Sequence, residues 1–249
     1  MPKPQPAADT YRADLAFIHD AGFGSVASAA ATELIERLRA SGITGGHIVD
    51  LGCGSGITAR ALTAAGYDVT GFDISPAMLK LARQLAPRAR FRQASFLAAE
   101  LPACVAVAAV GEIFNYLFDR RHSDTRLWRF FRRAHAALQP GGLFLFDVAA
   151  PGRAGPRGQR RNFTTAADWA CLYAAAEDRR RRTLTREITS FRRVGRHFRR
   201  DHEVHRLRLY RPAEVLSHLR AAGFRARTLR GYGPLQFPPG WVGFVARKT

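Results

Sequence analysis

Residues 49–57 read VDLGCGSGI, an apolar segment that ends in an acid and continues into three glycines at alternate positions. A dinucleotide-binding turn has the pattern G-x-G-x-x-G, whereas this chain has Ile57 where the third glycine of that pattern would stand. Asp50 lies at the mouth of the turn, and its carboxylate would repel a pyrophosphate docked at the following helix. The turn therefore favours a ligand that carries positive charge and no phosphate.

A second acid follows at the spacing used by ligands that contain a ribose. Asp73 closes the next predicted strand, residues 68–74, where a carboxylate can accept both hydroxyl hydrogens of a ribose. S-adenosylmethionine fits both features, because it joins a ribose to a sulfonium and an α-ammonium group. We therefore predict that the turn and Asp73 bind S-adenosylmethionine.

Strands and helices alternate over the first 150 residues. This alternation, with short links, predicts a Rossmann-like α/β fold in which helices cover both faces of a mostly parallel sheet. Ligands of such folds bind beyond the carboxyl ends of the strands. The predicted strands are 47–51, 68–74, 89–93, 104–110 and 143–148, and the predicted helices are 57–65, 76–86 and 123–138.

Three motifs resemble those of class I S-adenosylmethionine-dependent methyltransferases. They are DLGCGSG at 50–56, G-x-D-I-S-x-x-M at 71–78 and LQPGG at 138–142. The resemblance implies a seven-stranded sheet whose last strand is antiparallel, and S-adenosylhomocysteine as the product. The expected organisation is a disordered lead-in (1–10), an N-terminal helical lid (11–44), a cofactor-binding core (45–150), an antiparallel β insertion after the fifth strand that caps the substrate (151–211), and a C-terminal helix and hairpin (212–249).

The same resemblance assigns the cofactor contacts. It implies that Gly52 and Gly54 approach the methionine part, that Asp73 holds the ribose, and that Ile74 and Met78 flank the adenine. The family often has an acid after the third strand that bonds the adenine amino group, whereas this chain has Ser95 and Phe96 there. The full set of expected cofactor residues is Asp50, Gly52, Cys53, Gly54, Asp73, Ile74, Met78, Ser95, Phe96 and Gly111.

The segment after the fourth strand bears on the acceptor. It reads AVGEIFNYLFD at 109–119, without the Pro-Pro-Tyr or Pro-Cys motifs of enzymes that methylate nucleobases. The G-E-x-x-N-Y pattern is similar to the small-molecule branch of the family. It implies that Glu112, Asn115 and Tyr116 face a small acceptor that is methylated on N or O.

The insertion is expected to begin with a loop at residues 151–161 and to continue in antiparallel strands with a turn near Val194 and Gly195. Strand alternation in this insertion supplies further candidates. Glu203 and His205 share an inward face with leucines, and Arg186 stands between two apolar neighbours on its own strand. Buried charges need partners, so Arg186 and Glu203 either form an internal ion pair or line an acceptor pocket. In the pocket, Arg186 would bind an anionic group and His205 would act as a base. His19, in the predicted lid, is the other candidate base, and Tyr116 is the third candidate catalytic residue.

The charge of the chain is unusual. Its net charge is +19, and residues 151–211 contain 17 arginines against six acids. Such a field attracts anions, although an arginine-rich genome would give the same composition. Two alternatives therefore stay open beside a small-molecule enzyme: an RNA methyltransferase that uses the basic insertion, and a non-catalytic regulator that binds S-adenosylmethionine.

Other features of the sequence are ordinary for a cytoplasmic enzyme. No apolar segment approaches the about 20 residues of a membrane helix, and the first residues lack the apolar core of a signal peptide. Three scattered cysteines predict no disulfide framework, and no histidines or cysteines have metal-ligand spacing. The acceptor and the oligomeric state are left open.

Overall fold

The computed structural model describes residues 10–249 and contains two large sheets. Apolar segments with β-branched residues form the central strands, and more polar segments form the second sheet. The strands are His47–Leu51 (β1), Asp68–Asp73 (β2), Arg90–Gln93 (β3), Cys104–Ala109 (β4), Leu138–Ala149 (β5), Gln159–Ala166 (β6), Trp169–Asp178 (β7), Thr183–Val194 (β8), His197–Arg208 (β9), Phe224–Leu229 (β10), Gly231–Tyr232 (β11), Leu235–Gln236 (β12) and Trp241–Lys248 (β13).

Within residues 10–249, six α-helices accompany these strands. Two of them begin where the sequence carries a serine cap: Ser75 accepts from the backbone N–H of Met78, and Ser123 accepts from that of Arg126. The helices are Ala13–Gly22 (α1), Ser25–Ala40 (α2), Ile57–Ala64 (α3), Pro76–Leu85 (α4), Asp124–Ala137 (α5) and Pro212–Ala221 (α6).

The central sheet confirms the predicted fold class. Its strand order is β10-β13-β5-β4-β1-β2-β3, and β13 runs antiparallel to both of its neighbours. Buried apolar side chains cover both faces, with a cluster of phenylalanines beneath α5 and α6 and a second cluster beneath α2 and α3. The sheet therefore fixes the carboxyl ends of β1, β2 and β4 in one place.

The second sheet is the predicted insertion, with strand order β6-β7-β8-β9 and antiparallel pairing throughout. The turn expected near Val194 and Gly195 is confirmed, and Gly195 has the positive φ of 63° that such a turn requires. Strand β6 was not predicted, since residues 151–161 were expected to be a loop. Its residues are almost all exposed, so they show no apolar alternation by which a strand could be found.

The boundaries of β5 also differ from the prediction. The strand begins at Leu138 rather than at residue 143, and a register shift opposite residues 104–106 accommodates Pro140 and the following glycines. A proline in a strand is tolerated at such an irregularity because the lost N–H is not needed by the ladder.

The N-terminal region packs as helices against both sheets. Of the lead-in predicted at residues 1–10, only Thr10 belongs to the described residues, and it is buried. The backbone carbonyl of Tyr11 accepts a hydrogen bond from Ser75 Oγ at 2.8 Å. The backbone N–H of Tyr11 donates to the carboxylate of Glu203 at 2.7 Å. Tyr11 thus joins the central sheet to the inserted one. None of the helices formed by residues 10–249 is long and apolar enough to cross a membrane.

Candidate active site

A cavity of ≈ 520 Å³ opens beyond the carboxyl ends of the central strands. One wall comes from the loops after β1, β2, β3 and β4. The opposite wall comes from α1 and from the inward faces of β6, β7 and β8. The two walls belong to different parts of the chain, so we describe them as the core end and the insertion end of the cavity.

The glycine turn forms the floor of the core end. Gly52 and Gly54 line the cavity with φ of 62° and 53°, values that side-chain-bearing residues rarely adopt. A Cβ on Gly52 would lie 2.3 Å from the Cδ1 of Ile113, whereas a Cβ on Gly54 would meet nothing within 4 Å. The turn therefore exposes backbone to open space at Gly54 and packs closely at Gly52.

Asp73 stands beside this turn with its carboxylate oriented by backbone donors. Its Oδ2 accepts from the N–H of Gly54 at 2.9 Å, and its Oδ1 accepts from the N–H of Ser75 at 2.8 Å. Each oxygen can accept a further hydrogen bond, and the residue lines the cavity. The arrangement suits a pair of vicinal hydroxyl groups.

Asp50 lies behind the turn and is only 2% exposed. Its Oδ2 has no hydrogen-bond partner among the described residues. Burial, and then the nearby charge of Asp73, raise the pKa of Asp50 to about 8. An unpartnered buried carboxyl oxygen is costly, and a cationic ligand in the turn would reduce that cost.

Further along the core end, the cavity wall becomes mainly apolar. Ile74, Met78 and Phe96 line it, together with the hydroxyl-bearing Ser95. Ser95 Oγ donates to Asp119 Oδ2 at 2.5 Å. Sequence reasoning missed Asp119, because it lies 24 residues from Ser95 and beyond the G-E-x-x-N-Y pattern of its own segment.

Glu112 marks the boundary between the two ends. It has a left-handed backbone, with φ of 63°, and its buried side chain pairs with two arginines. Arg153 Nε donates to one carboxyl oxygen at 2.5 Å, and Arg186 donates to the other. Burial alone would raise the pKa of Glu112, but the two guanidinium groups lower it overall. The three side chains form a buried cluster of net charge +1, which we call the Glu112 triad.

The triad corrects the predicted Arg186–Glu203 pair, which does not form. The two side chains share a face, but the strand register sets Arg186 opposite His205 and Ile188 opposite Glu203. Arg186 extends to the loop after β4, where its second nitrogen also donates to Tyr116 Oη at 3.1 Å. That loop could not be placed against β8 from the sequence.

Glu203 instead holds the N-terminal segment. Its two carboxyl oxygens accept from the N–H groups of Tyr11 and Arg12 at 2.7 and 2.8 Å. The carboxylate also contacts His205 Nε2 at 2.8 Å. Glu203 and His205 are almost fully buried, and neither lines the cavity. They lie behind Tyr11, whose ring centroid is 4.9 Å from that of His205.

His19 occupies a different position from His205. It lines the cavity on α1, with its ring 5.4 Å from that of Tyr11 in an edge arrangement. Its Nδ1 has no hydrogen-bond partner among residues 10–249. Burial lowers the pKa of His19 to about 4, so the imidazole is neutral at pH 7. Tyr116 lines the same end, and its hydroxyl is 3.0 Å from that of Tyr11.

Asn115 was expected to face the substrate, but the structure buries it away from the cavity. Its Nδ2 donates to the carbonyls of Ala149 and Arg208, and its Oδ1 accepts from the N–H of Ala149. Asn115 therefore joins the central sheet to the end of β9. Of the expected site residues, those that line the cavity are Gly52, Gly54, Asp73, Ile74, Met78, Ser95, Phe96, Gly111, Glu112, Tyr116, His19 and Arg186, and those that do not are Asp50, Cys53, Asn115, Glu203 and His205.

Asp147 is a further buried acid that sequence reasoning missed. It accepts from the N–H groups of Gly111 and Glu112, from the hydroxyl of Tyr232 and from the indole of Trp241. Burial raises its pKa to about 6. These bonds hold the turn that carries Glu112. The sequence did contain one signal that could have identified Asp147, since it is the only acid near the carboxyl end of the otherwise apolar strand segment LFLFDVA.

Comparison with known proteins gives a family match. Residues 48–142 match a family model described as a methyltransferase domain. The 18S rRNA (guanine(1575)-N(7))-methyltransferase of Saccharomyces cerevisiae is 35% identical over 39% of this chain and 38% of its own length. The malonyl-[acyl-carrier protein] O-methyltransferase of Serratia marcescens is 31% identical over 55% of this chain and 52% of its own length. This chain thus spans about half, or less, of these curated relatives.

A solved structure resembles nearly the whole fold. The amino pentose methyltransferase of Micromonospora echinaspora, solved with S-adenosylmethionine bound, superposes with a TM-score of 0.75. The superposition covers 93% of this chain and 97% of that one at 21% identity. The likeness therefore includes the inserted sheet as well as the central one.

Proposed function

We propose that the chain is a class I S-adenosylmethionine-dependent methyltransferase that transfers a methyl group from this cofactor to N or O of a small molecule, a proposal supported by the match of residues 48–142 to a methyltransferase domain. The observation that carries the proposal is the unpartnered, buried Oδ2 of Asp50 beneath a turn that is open at Gly54. A cationic sulfonium or ammonium group in the turn would stabilise the ionised form of Asp50 and lower its raised pKa, whereas a phosphate would raise that pKa further.

The residues of the core end fit this cofactor in order. Gly52 and Gly54 would hold the methionine part, Asp73 the ribose hydroxyls, and Ile74 and Met78 the two faces of the base. When bound, S-adenosylmethionine supplies a methyl group on a positively charged sulfur. The chain's own contribution is to align an acceptor with that group and exclude water, which can lower the barrier by about 7–11 kcal/mol.

The insertion end would hold the acceptor. His19, Tyr11 and Tyr116 converge on the cavity wall with one another and with Arg186. A neutral His19 can accept a hydrogen bond from the N–H or O–H group of the methyl acceptor. This bond would orient the lone pair of the methyl acceptor toward the methyl group. This role suits His19 better than His205, since His205 is buried behind Tyr11.

The charge of the insertion end supports an anionic acceptor. The Glu112 triad carries net charge +1, and Arg160 adds a second positive charge on the inward face of β6. The strand pairing places Asn162 and Thr164 on the same face, opposite Tyr173 and Cys171. A row of polar side chains that faces a cavity suits a carboxylate or phosphate substituent on the acceptor.

The first test separates the cofactor class. Calorimetry should give a dissociation constant in the micromolar range or tighter for S-adenosylhomocysteine and no binding for NADH. A tritiated-methyl assay on metabolite extracts, fractionated by charge, should then label acidic small molecules. Failure to bind S-adenosylhomocysteine would contradict the proposal, and label in neutral fractions alone would contradict the anionic acceptor.

An RNA acceptor is the second candidate, because a 35% identical relative is named for methylating guanine in 18S rRNA and the insertion is rich in arginine. Binding through many phosphates should weaken about 10³–10⁵-fold between 50 and 200 mM salt. A salt titration with RNA therefore tests it. Binding of that steepness, with transfer of label to RNA, would favour RNA over a small molecule.

A further inference from the structure

Ser95 lies beside the residue that we assign to the ribose. The backbone N–H of Ala94 donates to the carbonyl of Asp73 at 3.0 Å, which fixes the end of β3 against the end of β2. Ser95 follows directly and lines the cavity together with Ile74, Met78 and Phe96. A ligand whose ribose bonded Asp73 would therefore place its base against Ser95.

The hydroxyl of Ser95 has a fixed hydrogen-bond polarity. A serine hydroxyl has one hydrogen to donate and two lone pairs that accept. The single hydrogen is directed to Asp119 Oδ2, at an Oγ–Oδ2 distance of 2.5 Å. An ionised carboxylate can only accept, so the hydroxyl cannot turn this hydrogen toward the cavity without losing a charge-assisted bond.

Asp119 is held in its ionised form and in its position. Arg121 donates to both carboxyl oxygens from its Nε, its terminal nitrogen and its backbone N–H, at 2.8–3.0 Å. These bonds, Arg121 first among their causes, keep the pKa of Asp119 well below its usual range. Arg121 also approaches Ser95 Oγ, but at 3.5 Å and from an exposed side chain. At least one lone pair of Ser95 therefore remains for a ligand.

We propose that Asp119 is a positioning residue that makes Ser95 an obligate hydrogen-bond acceptor for the exocyclic amino group of the cofactor's adenine. The inference rests on the proposed function. Ser95 and Asp119 together would do what a single acid does when it follows the third strand directly. A 6-oxo purine presents an acceptor at that position, and Ser95 has no hydrogen left to give it.

Paired ligands test the proposal without any methyl transfer. Calorimetry should compare S-adenosylhomocysteine with S-inosylhomocysteine, in which a 6-oxo group replaces the amino group. The unaltered protein should bind S-adenosylhomocysteine about tenfold or more tightly than S-inosylhomocysteine. Asp119→Ala frees the Ser95 hydrogen to turn toward either ligand, so this preference should fall to about twofold or less.

Control variants separate this role from a structural one. Asp124→Ala removes another acid that pairs with an arginine but does not line the cavity, and it should keep the preference. The double variant Ser95→Asp with Asp119→Ala places an acceptor directly at residue 95 and should restore it. This double variant also answers the question if Asp119→Ala alone folds poorly.

Two results would overturn the inference. One is equal affinity of the unaltered protein for both ligands, and the other is an Asp119→Ala variant that weakens both ligands by the same factor. Either result leaves the proposed function standing, provided that S-adenosylhomocysteine binds. If S-adenosylhomocysteine does not bind at all, the proposed function fails and this inference fails with it.

Discussion

The two ends of the cavity are built in different ways. The core end uses backbone: positive-φ glycines at 52 and 54, and N–H groups that orient Asp73, all within about one βαβ unit. The insertion end uses side chains from distant segments, among which Glu112 bonds Arg153 and Arg186 while Glu203 bonds the N–H of Tyr11. One end is local in sequence, and the other exists only after the chain has folded.

The difference has an energetic consequence. A site made of backbone groups within one supersecondary unit loses little stability when a single ligand-facing side chain is removed. A site made of buried charges loses much more, because each removed partner leaves another charge without compensation. Variants at the two ends should therefore separate binding from stability.

The largest effect is expected at Glu112. Glu112→Met leaves Arg186 as a buried, unpaired charge and should lower the free energy of unfolding by about 3–5 kcal/mol. Arg186→Met should lower the free energy of unfolding by less, since Glu112 keeps its bond to Arg153. Urea denaturation measures both, and Glu100→Gln, at an exposed carboxylate, should change stability by less than about 0.5 kcal/mol. A Glu112→Met variant as stable as this control would contradict a buried triad.

At the core end, Asp73→Ala should affect binding more than stability. Loss of a charged acceptor for two hydroxyl groups is worth about 1.5–3 kcal/mol, or at least a tenfold weaker dissociation constant for S-adenosylhomocysteine. Asp68→Ala, at the exposed start of the same strand, is the matched control and should leave the affinity unchanged. Unchanged affinity of the Asp73→Ala variant would remove that residue from the site.

His19 should make stability depend on pH. Its pKa is about 4 when folded and near 6.5 when unfolded, so between these values the unfolded chain binds more protons and stability falls as pH falls. Lowering the pH from 7.5 to 5 should decrease the contribution of His19 to the free energy of unfolding by about 2 kcal/mol. Asp50 and Asp147 contribute with the opposite sign, because their folded pKa values are raised to about 8 and about 6 and the folded chain therefore binds more protons than the unfolded chain below those values.

The contribution of His19 is therefore measured as a difference between variants. On going from pH 7.5 to 5, the unfolding free energy of the unaltered protein should decrease by about 2 kcal/mol relative to that of His19→Gln, whereas His197→Gln, at an exposed histidine of β9, should follow the unaltered protein. Identical slopes for all three proteins would show that His19 is not held neutral by burial.

The smallest effect is expected on β6. Arg160 lines the cavity, whereas the adjacent Arg161 does not, so the two residues form a matched pair. With an anionic acceptor, Arg160→Gln should raise the acceptor KM by about two- to fivefold at unchanged cofactor affinity, as an exposed charge contact would. Arg161→Gln should leave KM as it is. An equal increase in the acceptor KM for both variants would indicate that the overall positive charge of the insertion attracts the acceptor, rather than a contact made by Arg160.

Much of the fold followed from the sequence, and some of the site did not. The motifs around Asp50, Asp73 and Met78 predicted the central sheet, because a tight turn and a capped helix are encoded by adjacent residues. Strand β6 was missed because its exposed residues carry no apolar periodicity. Asp119 and Asp147 were missed because their partners, Ser95 and the N–H groups of Gly111 and Glu112, lie 24 to 36 residues away.

The sequence by itself determined the strands and helices of the central sheet and where the glycine turn lies, since both depend on periodicity and on local backbone conformation. Alternation also determined that Arg186, Glu203 and His205 face inward. Only the tertiary structure decided their partners: Arg186 bonds Glu112, and Glu203 bonds the N-terminal backbone. The physical reason is that burial obliges a charge to find a partner, while the identity of that partner depends on which distant segment the fold brings within hydrogen-bonding distance.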